Sequence, residues 1–255
     1  MGFAVAADSY DRFMGRYSVG LAAQLADLAG VAAGQRALDV GCGPGALTRE
    51  LVARLGPDGV AAADPSEPFV AAARERNPGV DVRLAAAEQL PFDDGEFDAV
   101  LAQLVVHFMA DAVAGLREMA RVARPGGAVA ACVWDHAGAQ GPLGVFWQAV
   151  HSLDAAARDE SDLAGAREGH LAELFAAAGL GDIEQTVHAT RVEHPSFEEW
   201  WEPFTLGVGP AGAYARSLSE EDLGALRERC RQEFPDGAFP LPVVAWAARG
   251  IVAAR

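Results

Sequence analysis

A glycine-rich turn directly after a short apolar run is the feature that most constrains how this chain folds. The run Ala37–Val40 leads into Gly-Cys-Gly-Pro-Gly at residues 41–45, and Ala46–Leu55 then has helical spacing. Glycines at the end of a strand let the backbone approach a ligand closely, because no Cβ intervenes. Asp64 ends the next apolar run roughly twenty residues later, where a carboxylate can accept hydrogen bonds from both hydroxyls of a ribose. The pattern predicts a strand–turn–helix unit that binds a ribose-containing cofactor.

Short apolar runs continue to alternate with helical stretches through residue 135. Further strands are predicted at residues 60–63, 80–84, 97–104 and 128–134. Near-continuous apolar strands separated by helices indicate a parallel sheet that is covered on both faces. We therefore predict a doubly wound α/β domain with its ligand at the carboxyl ends of the strands, where the strand order reverses.

The flanking segments are predicted to be mostly helical. Residues 1–30 and 138–178 read as helices, residues 183–192 as a strand, and 241–252 as a final strand. Ser196 and Glu199 form a capping-box pattern that opens a short aromatic helix, and Ser219 opens a longer helix that runs to about residue 234. The predicted organisation is one domain, with N-terminal helices at 1–33, a cofactor-binding core at 34–135, a segment with a helical lid at 136–240, and a last strand at 241–255.

Composition excludes several classes of function. The formal net charge is −16, which disfavours nucleic acid and anionic membrane surfaces as partners. All 20 basic residues are Arg, so chemistry that needs a Lys is excluded, namely P-loop and kinase phosphoryl transfer and Schiff-base formation. No metal-ligand spacing, signal peptide or membrane-spanning run is evident. Three widely spaced cysteines fit a reducing cytoplasm, and the Ala-, Gly- and Arg-rich composition suggests a bacterial source.

Two cofactors fit the glycine-rich turn. The spacing Gly41-x-Gly43-x-x-Ala46 loosely matches the dinucleotide fingerprint of nicotinamide-dependent oxidoreductases. Pro44 disfavours that interpretation, because it removes a backbone N–H from the turn that would face a pyrophosphate. S-adenosylmethionine has a ribose and a sulfonium cation but no phosphate, so a proline-containing turn beside carboxylates suits it better.

Several segments in order resemble the class I S-adenosylmethionine-dependent methyltransferases, in particular the type 11 subgroup of small-molecule enzymes similar to those of ubiquinone and menaquinone biosynthesis. The segments that carry the resemblance in the core are residues 38–48, 63–66, 87–92, 97–100 and 121–127, with further likeness at 10–18, 199–204 and 245–247. The resemblance implies a seven-stranded, mostly parallel sheet with an antiparallel terminal strand. It also implies an enzyme that transfers a methyl group from S-adenosylmethionine to a small molecule.

The resemblance further implies which residues contact the cofactor. Asp64 would hold the ribose hydroxyls, Gln103 would lie beneath the methionine moiety, and Arg16 would meet the methionine carboxylate. The complete set implied for cofactor binding is Tyr10, Arg16, Tyr17, Asp39, Gly41, Cys42, Gly43, Asp64, Pro65, Ala87, Glu88 and Gln103.

One position departs from the family pattern. Ala86 stands where the family usually has an Asp that accepts a hydrogen bond from the adenine amino group. Losing that contact would cost about 1–3 kcal/mol unless Glu88 or a water replaces it. An alternative function therefore stays open, in which the chain binds S-adenosylmethionine without transferring its methyl group and supports a partner.

Candidates for the acceptor side lie after the strands and in the flanking helices. His107 follows the fourth predicted strand and His136 the fifth, where either could act as a general base near neutral pH. Large aromatic residues outside the core are expected to wall the acceptor pocket, or else to pack the lid onto the sheet; they are Trp147, Trp200, Trp201 and Phe204. The sequence specifies neither the acceptor atom nor the oligomeric state.

Overall fold

A single sheet organises the described part of the chain. The computed structural model describes residues 11–207 and 209–254. The strands are Ala37–Val40 (β1), Val60–Asp64 (β2), Asp81–Leu84 (β3), Phe97–Gln103 (β4), Ala123–Trp134 (β5), Gly181–His194 (β6) and Phe239–Ile251 (β7). They pair in the order β3-β2-β1-β4-β5-β7-β6. The strands β1 to β5 are parallel, and β7 is antiparallel to both β5 and β6. The predicted fold class, including the antiparallel terminal strand, is confirmed.

Helices connect the strands and flank the sheet. They are Arg16–Leu28 (α1), Ala46–Leu55 (α2), Glu67–Arg76 (α3), Ala112–Val122 (α4), Gly144–Leu153 (α5), His170–Ala177 (α6), Phe197–Thr205 (α7), Gly209–Ser217 (α8) and Glu220–Arg231 (α9). A π-helical turn, Asp11–Gly15, precedes α1, and short 3₁₀ turns occupy Pro57–Gly59 and Val106–Phe108.

Both faces of the sheet are buried, as the continuous apolar strands predict. Leu38 belongs to a core cluster that includes Leu116 of α4. The neighbouring Ala37 belongs to a second cluster that includes Leu21 of α1 and Leu51 of α2. Successive residues of β1 therefore face opposite layers of helices. In the sheet β1 and β4 are neighbours, and the strand order reverses between them.

The segment between α5 and α6 differs from the prediction. Helix was predicted throughout residues 138–178, but residues 138–143 and 154–169 form turns and irregular structure. Asp154 Oδ1 accepts from the backbone N–H of Ala156, and Asp159 Oδ1 accepts from that of Ser161. Short side chains that bind nearby amides compete with helical hydrogen bonds, and this competition outweighs the helix propensity of the alanines in the segment.

An aromatic cluster joins the helices outside the sheet. Phe146 of α5 stacks on Phe204 of α7 with ring centroids 4.5 Å apart, and Phe13 meets Phe204 edge-on at 5.3 Å. Ser196 caps α7 by accepting from the backbone N–H of Glu199. The side chain of Glu199 binds elsewhere, to Arg16, so only one half of the predicted capping box contributes to this cap.

Candidate functional site

The glycine-rich turn lies at the carboxyl end of β1 and is held against β2. The backbone N–H groups of Gly41 and Cys42 both donate to the carbonyl of Ala63, at 2.7 and 3.0 Å. Gly41 has φ +69°, and a Cβ there would lie 2.4 Å from a methyl group of Val105. Gly43 also has positive φ, but a Cβ on it would meet nothing within 4 Å. Gly41 is therefore required by the packing of the turn, whereas Gly43 borders open space.

Asp64 lies at the end of β2 and contacts the turn directly. Its Oδ2 accepts from the backbone N–H of Gly43, and its Oδ1 accepts from that of Ser66, both at 2.8 Å. Burial raises the pKa of Asp64, and the two backbone hydrogen bonds oppose that shift. A carboxylate has about four acceptor positions, so roughly two remain for a ligand. The side chain is thus fixed in place while it keeps capacity to bind hydroxyl groups.

A cavity of about 770 Å³ opens beside this turn, where the strand order reverses. Its volume lies within the range typical of sites for small molecules and cofactors. Of the residues predicted to contact the cofactor, those that line the cavity are Gly41, Gly43, Asp64, Pro65, Ala87, Glu88 and Gln103. The structure therefore brings together residues from the carboxyl ends of the four strands β1 to β4 and from the loops that follow them.

Gln103 provides a test of whether this cavity fits a polar ligand. Its Nε2 donates to the carbonyl of Ser18 at 3.0 Å, which fixes the orientation of the amide. Its Oε1 is buried and has no hydrogen-bond partner in the described part of the chain. A buried acceptor without a donor costs about 1–3 kcal/mol. A ligand with a donor group, such as an amino group, would satisfy it, so the residues present fit the implied cofactor.

Asp39 and Cys42 lie behind the turn and do not line this cavity. Asp39 Oδ2 accepts from the hydroxyl of Thr48 at 2.6 Å, and burial raises its pKa to about 7. The Cys42 thiol is buried and points to the carbonyl of Gly43 at 3.5 Å. Both side chains support the turn in this structure, and their predicted contacts with the cofactor stay predictions.

Arg16 and Tyr17 are held by His194, which the sequence did not indicate, and by Glu199, which was predicted only as part of a capping box. The Tyr17 hydroxyl bonds to His194 Nε2 at 2.8 Å, and His194 Nδ1 bonds to Glu199 at 2.7 Å. Since Nδ1 donates to the carboxylate, Nε2 is the acceptor for the tyrosine hydroxyl. Glu199 also forms an ion pair with Arg16. Tyr10 lies outside the described residues, and the predicted closure of Arg16 and Tyr17 over the cofactor stays a prediction.

Ala86 lies in the wall of the cavity, and Glu88 lies close to it in the chain. Glu88 Oε1 accepts from the backbone N–H of Ala110 at 2.7 Å and from that of Asp111 at 3.3 Å. One carboxylate oxygen of Glu88 is therefore engaged with the loop after β4. Ala86 itself offers no side-chain acceptor, as the departure from the family pattern predicted.

A second, smaller cavity of about 40 Å³ adjoins the first. Leu104, His107 and Phe108 line both cavities and form their common wall. The small cavity is otherwise mostly apolar, with Phe13, Met14, Leu143 and Trp134 among its lining residues. Its polar side chains are His107, His136 and Glu160. The two predicted catalytic histidines therefore meet at one site, with ring centroids 5.6 Å apart.

Both imidazoles are neutral and have free hydrogen-bonding capacity. Burial lowers the pKa of His107 well below its usual value, and the neighbouring His136 lowers it further. Burial also lowers the pKa of His136, to about 4. His107 Nδ1 and His136 Nε2 are buried without a hydrogen-bond partner among the described residues. These nitrogens are available to a molecule bound in the small cavity.

Glu160 is a residue that the sequence analysis missed. It lies in the irregular segment 154–169 and is 3% exposed. The Trp147 indole N–H donates to its Oε2. Burial raises the pKa of Glu160 to about 7, and the hydrogen bond from Trp147 opposes the shift. No motif surrounds Glu160 in the sequence, and its interest rests on being a carboxyl group buried in a mostly apolar cavity.

The aromatic residues predicted to wall the acceptor pocket lie in the cluster between the outer helices. Trp147, Trp200, Trp201 and Phe204 are all buried there. Trp200 and Phe204 border a narrow crevice beside Arg16. Trp147 is linked to the small cavity only indirectly, through its hydrogen bond to Glu160. None of the four lines either of the two adjoining cavities. A direct contact between these four side chains and the acceptor stays a prediction.

The described residues offer neither a cluster of metal ligands nor a membrane-spanning helix. No group of three or more His, Cys, Asp or Glu side chains in residues 11–207 and 209–254 is arranged to hold a metal ion. Within the same residues, no helix combines the length and the apolar character needed to cross a bilayer.

Comparisons with known proteins agree with the fold and the turn. Residues 38–131 match a family described as a methyltransferase domain. A demethylmenaquinone methyltransferase of Beutenbergia cavernae is 42% identical over 101 residues, which are 40% of this chain and 41% of that protein. A ubiquinone/menaquinone biosynthesis C-methyltransferase of Idiomarina loihiensis is 37% identical over 110 residues, 40% of this chain and 44% of that protein. The chain thus matches less than half the length of these curated relatives.

A solved structure extends the likeness of the fold beyond the core. Phospholethanolamine N-methyltransferase 2 of Haemonchus contortus, in complex with S-adenosylhomocysteine, superposes with a TM-score of 0.58 at 18% identity. The match covers 98% of this chain and 57% of that one. Together the comparisons confirm the predicted recognition: residues 38–131 are a class I S-adenosylmethionine-dependent methyltransferase domain.

Proposed function

We propose that this methyltransferase domain transfers a methyl group from S-adenosylmethionine to a small-molecule acceptor. The observation that carries the proposal is the pair of adjoining cavities that share Leu104, His107 and Phe108 as a common wall. These shared residues place the proposed donor and acceptor sites side by side, as direct transfer between two bound reactants requires. Methyl transfer to a positioned nucleophile gains most of its rate from such proximity.

The large cavity is proposed to hold the methyl donor. Asp64 would accept from the ribose hydroxyls, and Gln103 Oε1 would accept from the amino group of the methionine part. Pro65 and Ala87 would lie against the adenine. When bound, S-adenosylmethionine supplies an electrophilic methyl group with a neutral thioether as the leaving group. The residues of the chain bind and orient the donor.

The small cavity is proposed to hold the reacting end of the acceptor. A water-sized site needs roughly 10–15 Å³, so the 40 Å³ cavity has room for a group of about three heavy atoms. His107 and His136 offer it unpartnered ring nitrogens, and these atoms would accept hydrogen bonds from the acceptor. The sequence also predicts that one of the two histidines removes a proton from the acceptor. A pH profile of variants of each histidine would test that prediction.

A second candidate function is donor binding without methyl transfer, in support of a partner. The side chain at Ala86 favours it, because the cavity lacks the acceptor that the family uses for adenine. The intact turn and the fixed position of Asp64 argue against loss of donor binding. The two functions differ in one measurable product, S-adenosylhomocysteine.

The experiment is to incubate the purified chain with S-adenosylmethionine and a broad panel of small acceptors and to measure S-adenosylhomocysteine. Product formation that depends on one acceptor class supports the proposed transferase. Binding of S-adenosylhomocysteine without turnover across the panel would favour the second candidate. Both measurements use the full chain, so a failure of folding would appear as loss of binding as well.

The proposal also covers the cellular location, the domain organisation and the excluded partners of the chain. The three cysteines are buried and unpaired, which fits a cytoplasmic location in a bacterium. The whole chain is proposed to act as one domain, with the helices outside the sheet covering the small cavity. The strongly acidic composition is the reason that neither nucleic acid nor a membrane surface is proposed as a partner.

A further inference from the structure

The charges around the two cavities are of one sign. The titratable side chains that line them are Asp64, Glu67, Glu88, His107, His136 and Glu160. No Arg lines either cavity in the described part of the chain, and the sequence contains no Lys. An anionic acceptor would find no cation to pair with there, and burying an unpaired charge is strongly unfavourable. The small cavity therefore disfavours carboxylate and phosphate groups at the reacting end of the acceptor.

Glu160 is positioned to bind a cation or to accept a proton. Its Oε2 is fixed by the indole of Trp147, which comes from α5. The walls of the small cavity include the aromatic rings of Phe13 and Trp134. Aromatic faces attract a cation by about 0.5–2 kcal/mol. A carboxylate among aromatic rings, in a space of about three heavy atoms, matches the head group of a small amine.

Building on the proposed function, we infer that the acceptor is an amine, and that Glu160 both pairs with its ammonium group and removes the proton. The neutral imidazoles of His107 and His136 accept the remaining N–H groups through their free ring nitrogens. The ammonium proton passes to the Glu160 carboxylate, and the freed nitrogen lone pair forms the new N–C bond. The C–S bond of the donor breaks, and its electron pair stays on sulfur. The product is a methylated ammonium ion and a neutral thioether.

The protonation properties of the site agree with this division of roles. Burial keeps the pKa of both histidines below the usual range, so they are weak bases at neutral pH. Burial raises the pKa of Glu160 to about 7, the value best suited to proton transfer near neutrality. The titratable neighbour of Glu160 on its own segment is Asp159, and His107 and His136 line the same cavity. Asp135 in turn lies near His136, and His151 of α5 lies 3.6 Å from Asp159.

The test compares three acceptor classes with the same full-length protein. Amines, phenols and carboxylic acids of matched carbon skeletons, such as 2-phenylethylamine, 4-ethylphenol and 3-phenylpropanoate, form the core of a wider panel. We expect turnover of amines only. Turnover of phenols or carboxylic acids without amines would overturn the inference and leave the proposed transferase intact. Binding of S-adenosylhomocysteine without any turnover would count against both proposals.

The variant Glu160→Gln separates the role of the carboxylate from that of its packing. The amide oxygen can still accept from Trp147, so the fold should be kept. We expect kcat/KM for the amine to fall about 10²–10⁴-fold, the usual effect of losing a general base, with the affinity for S-adenosylhomocysteine unchanged. Glu168→Gln, an exposed residue of the same segment, removes one negative charge elsewhere and should change neither value. Unchanged kcat/KM in Glu160→Gln would contradict the inference.

The pH profile gives an independent check that requires no variant. The ionised carboxylate is the active form, so kcat/KM should rise about tenfold per pH unit below pH 7 and level off above it. An amine that stays protonated up to pH 8 keeps its own titration out of this range. If Glu160 instead donated a hydrogen bond to a neutral acceptor, kcat/KM would fall through the same range, and this result would overturn the inference.

Discussion

Replacing Asp64 tests the proposed ribose site, and the structure allows its effect to be estimated. Two of about four acceptor positions on the carboxylate are used by the backbone N–H groups of Gly43 and Ser66. The other two are available to ribose hydroxyls, and a hydrogen bond to a charged group contributes about 1.5–3 kcal/mol. Asp64→Asn removes the charge and one acceptor oxygen. The loss of one such bond weakens binding of S-adenosylhomocysteine about 10- to 150-fold, since 1.4 kcal/mol is a factor of ten.

Isothermal titration calorimetry with S-adenosylhomocysteine measures this change directly. Asp64→Ala should weaken binding at least tenfold as well. Asp81→Asn is a matched control, because Asp81 is an exposed residue at the start of β3 whose carboxylate binds Arg83. The circular dichroism spectrum of each variant checks that it is folded. A folded Asp64→Asn protein with affinity within about twofold of the wild type would refute the position of the ribose site.

Three further predictions concern the cavity wall, the packing of the turn and the residues that hold α1. Ala86→Asp restores the hydrogen-bond acceptor that the family uses for adenine. It should tighten binding of S-adenosylhomocysteine about 5- to 150-fold, which corresponds to the 1–3 kcal/mol of one polar contact. An unchanged affinity by calorimetry would mean that adenine lies elsewhere. Gly41→Ala should lower the free energy of unfolding in urea by about 1–3 kcal/mol, because the new Cβ clashes with Val105 and because alanine is strained at positive φ. Adding Val105→Ala should recover only the part of that loss due to the clash, so full recovery of stability would refute the role of backbone strain. Tyr17→Phe leaves the buried His194 Nε2 without its donor and should cost about 1–3 kcal/mol in the same assay, whereas an unchanged midpoint would show that this hydrogen bond is not stabilising.

The central part of the fold could be predicted because its signals are local. The glycines of the turn at residues 41–45 adopt positive φ, so the residue types themselves indicate the turn. Continuous apolar runs such as the one in Val60–Asp64 indicate strands that are buried on both faces. Asp64 follows from the same reasoning, since the end of a strand next to the turn determines where its carboxylate lies. The match of residues 38–131 to a methyltransferase domain covers the same part of the chain.

The acceptor side could not be predicted from local signals. Tyr17 and His194 form their hydrogen bond across 177 positions of the sequence, and no pattern near either residue indicates the other. Glu160 lies in a segment that was predicted to be helical, whereas the carboxylates of Asp154 and Asp159 accept hydrogen bonds from nearby backbone amides and produce turns. Its burial depends on the packing of that segment over the ends of β4 and β5. The identity of Ala86 was visible in the sequence, but its consequence depends on a ligand.

The most direct test of this account is calorimetric titration of the purified chain with S-adenosylhomocysteine, with NADH titrated in parallel. We expect micromolar binding of S-adenosylhomocysteine and no binding of NADH, because Pro44 leaves the turn without an amide that a pyrophosphate would need. Binding of NADH alone, or of neither compound, would contradict the assignment of the large cavity to S-adenosylmethionine.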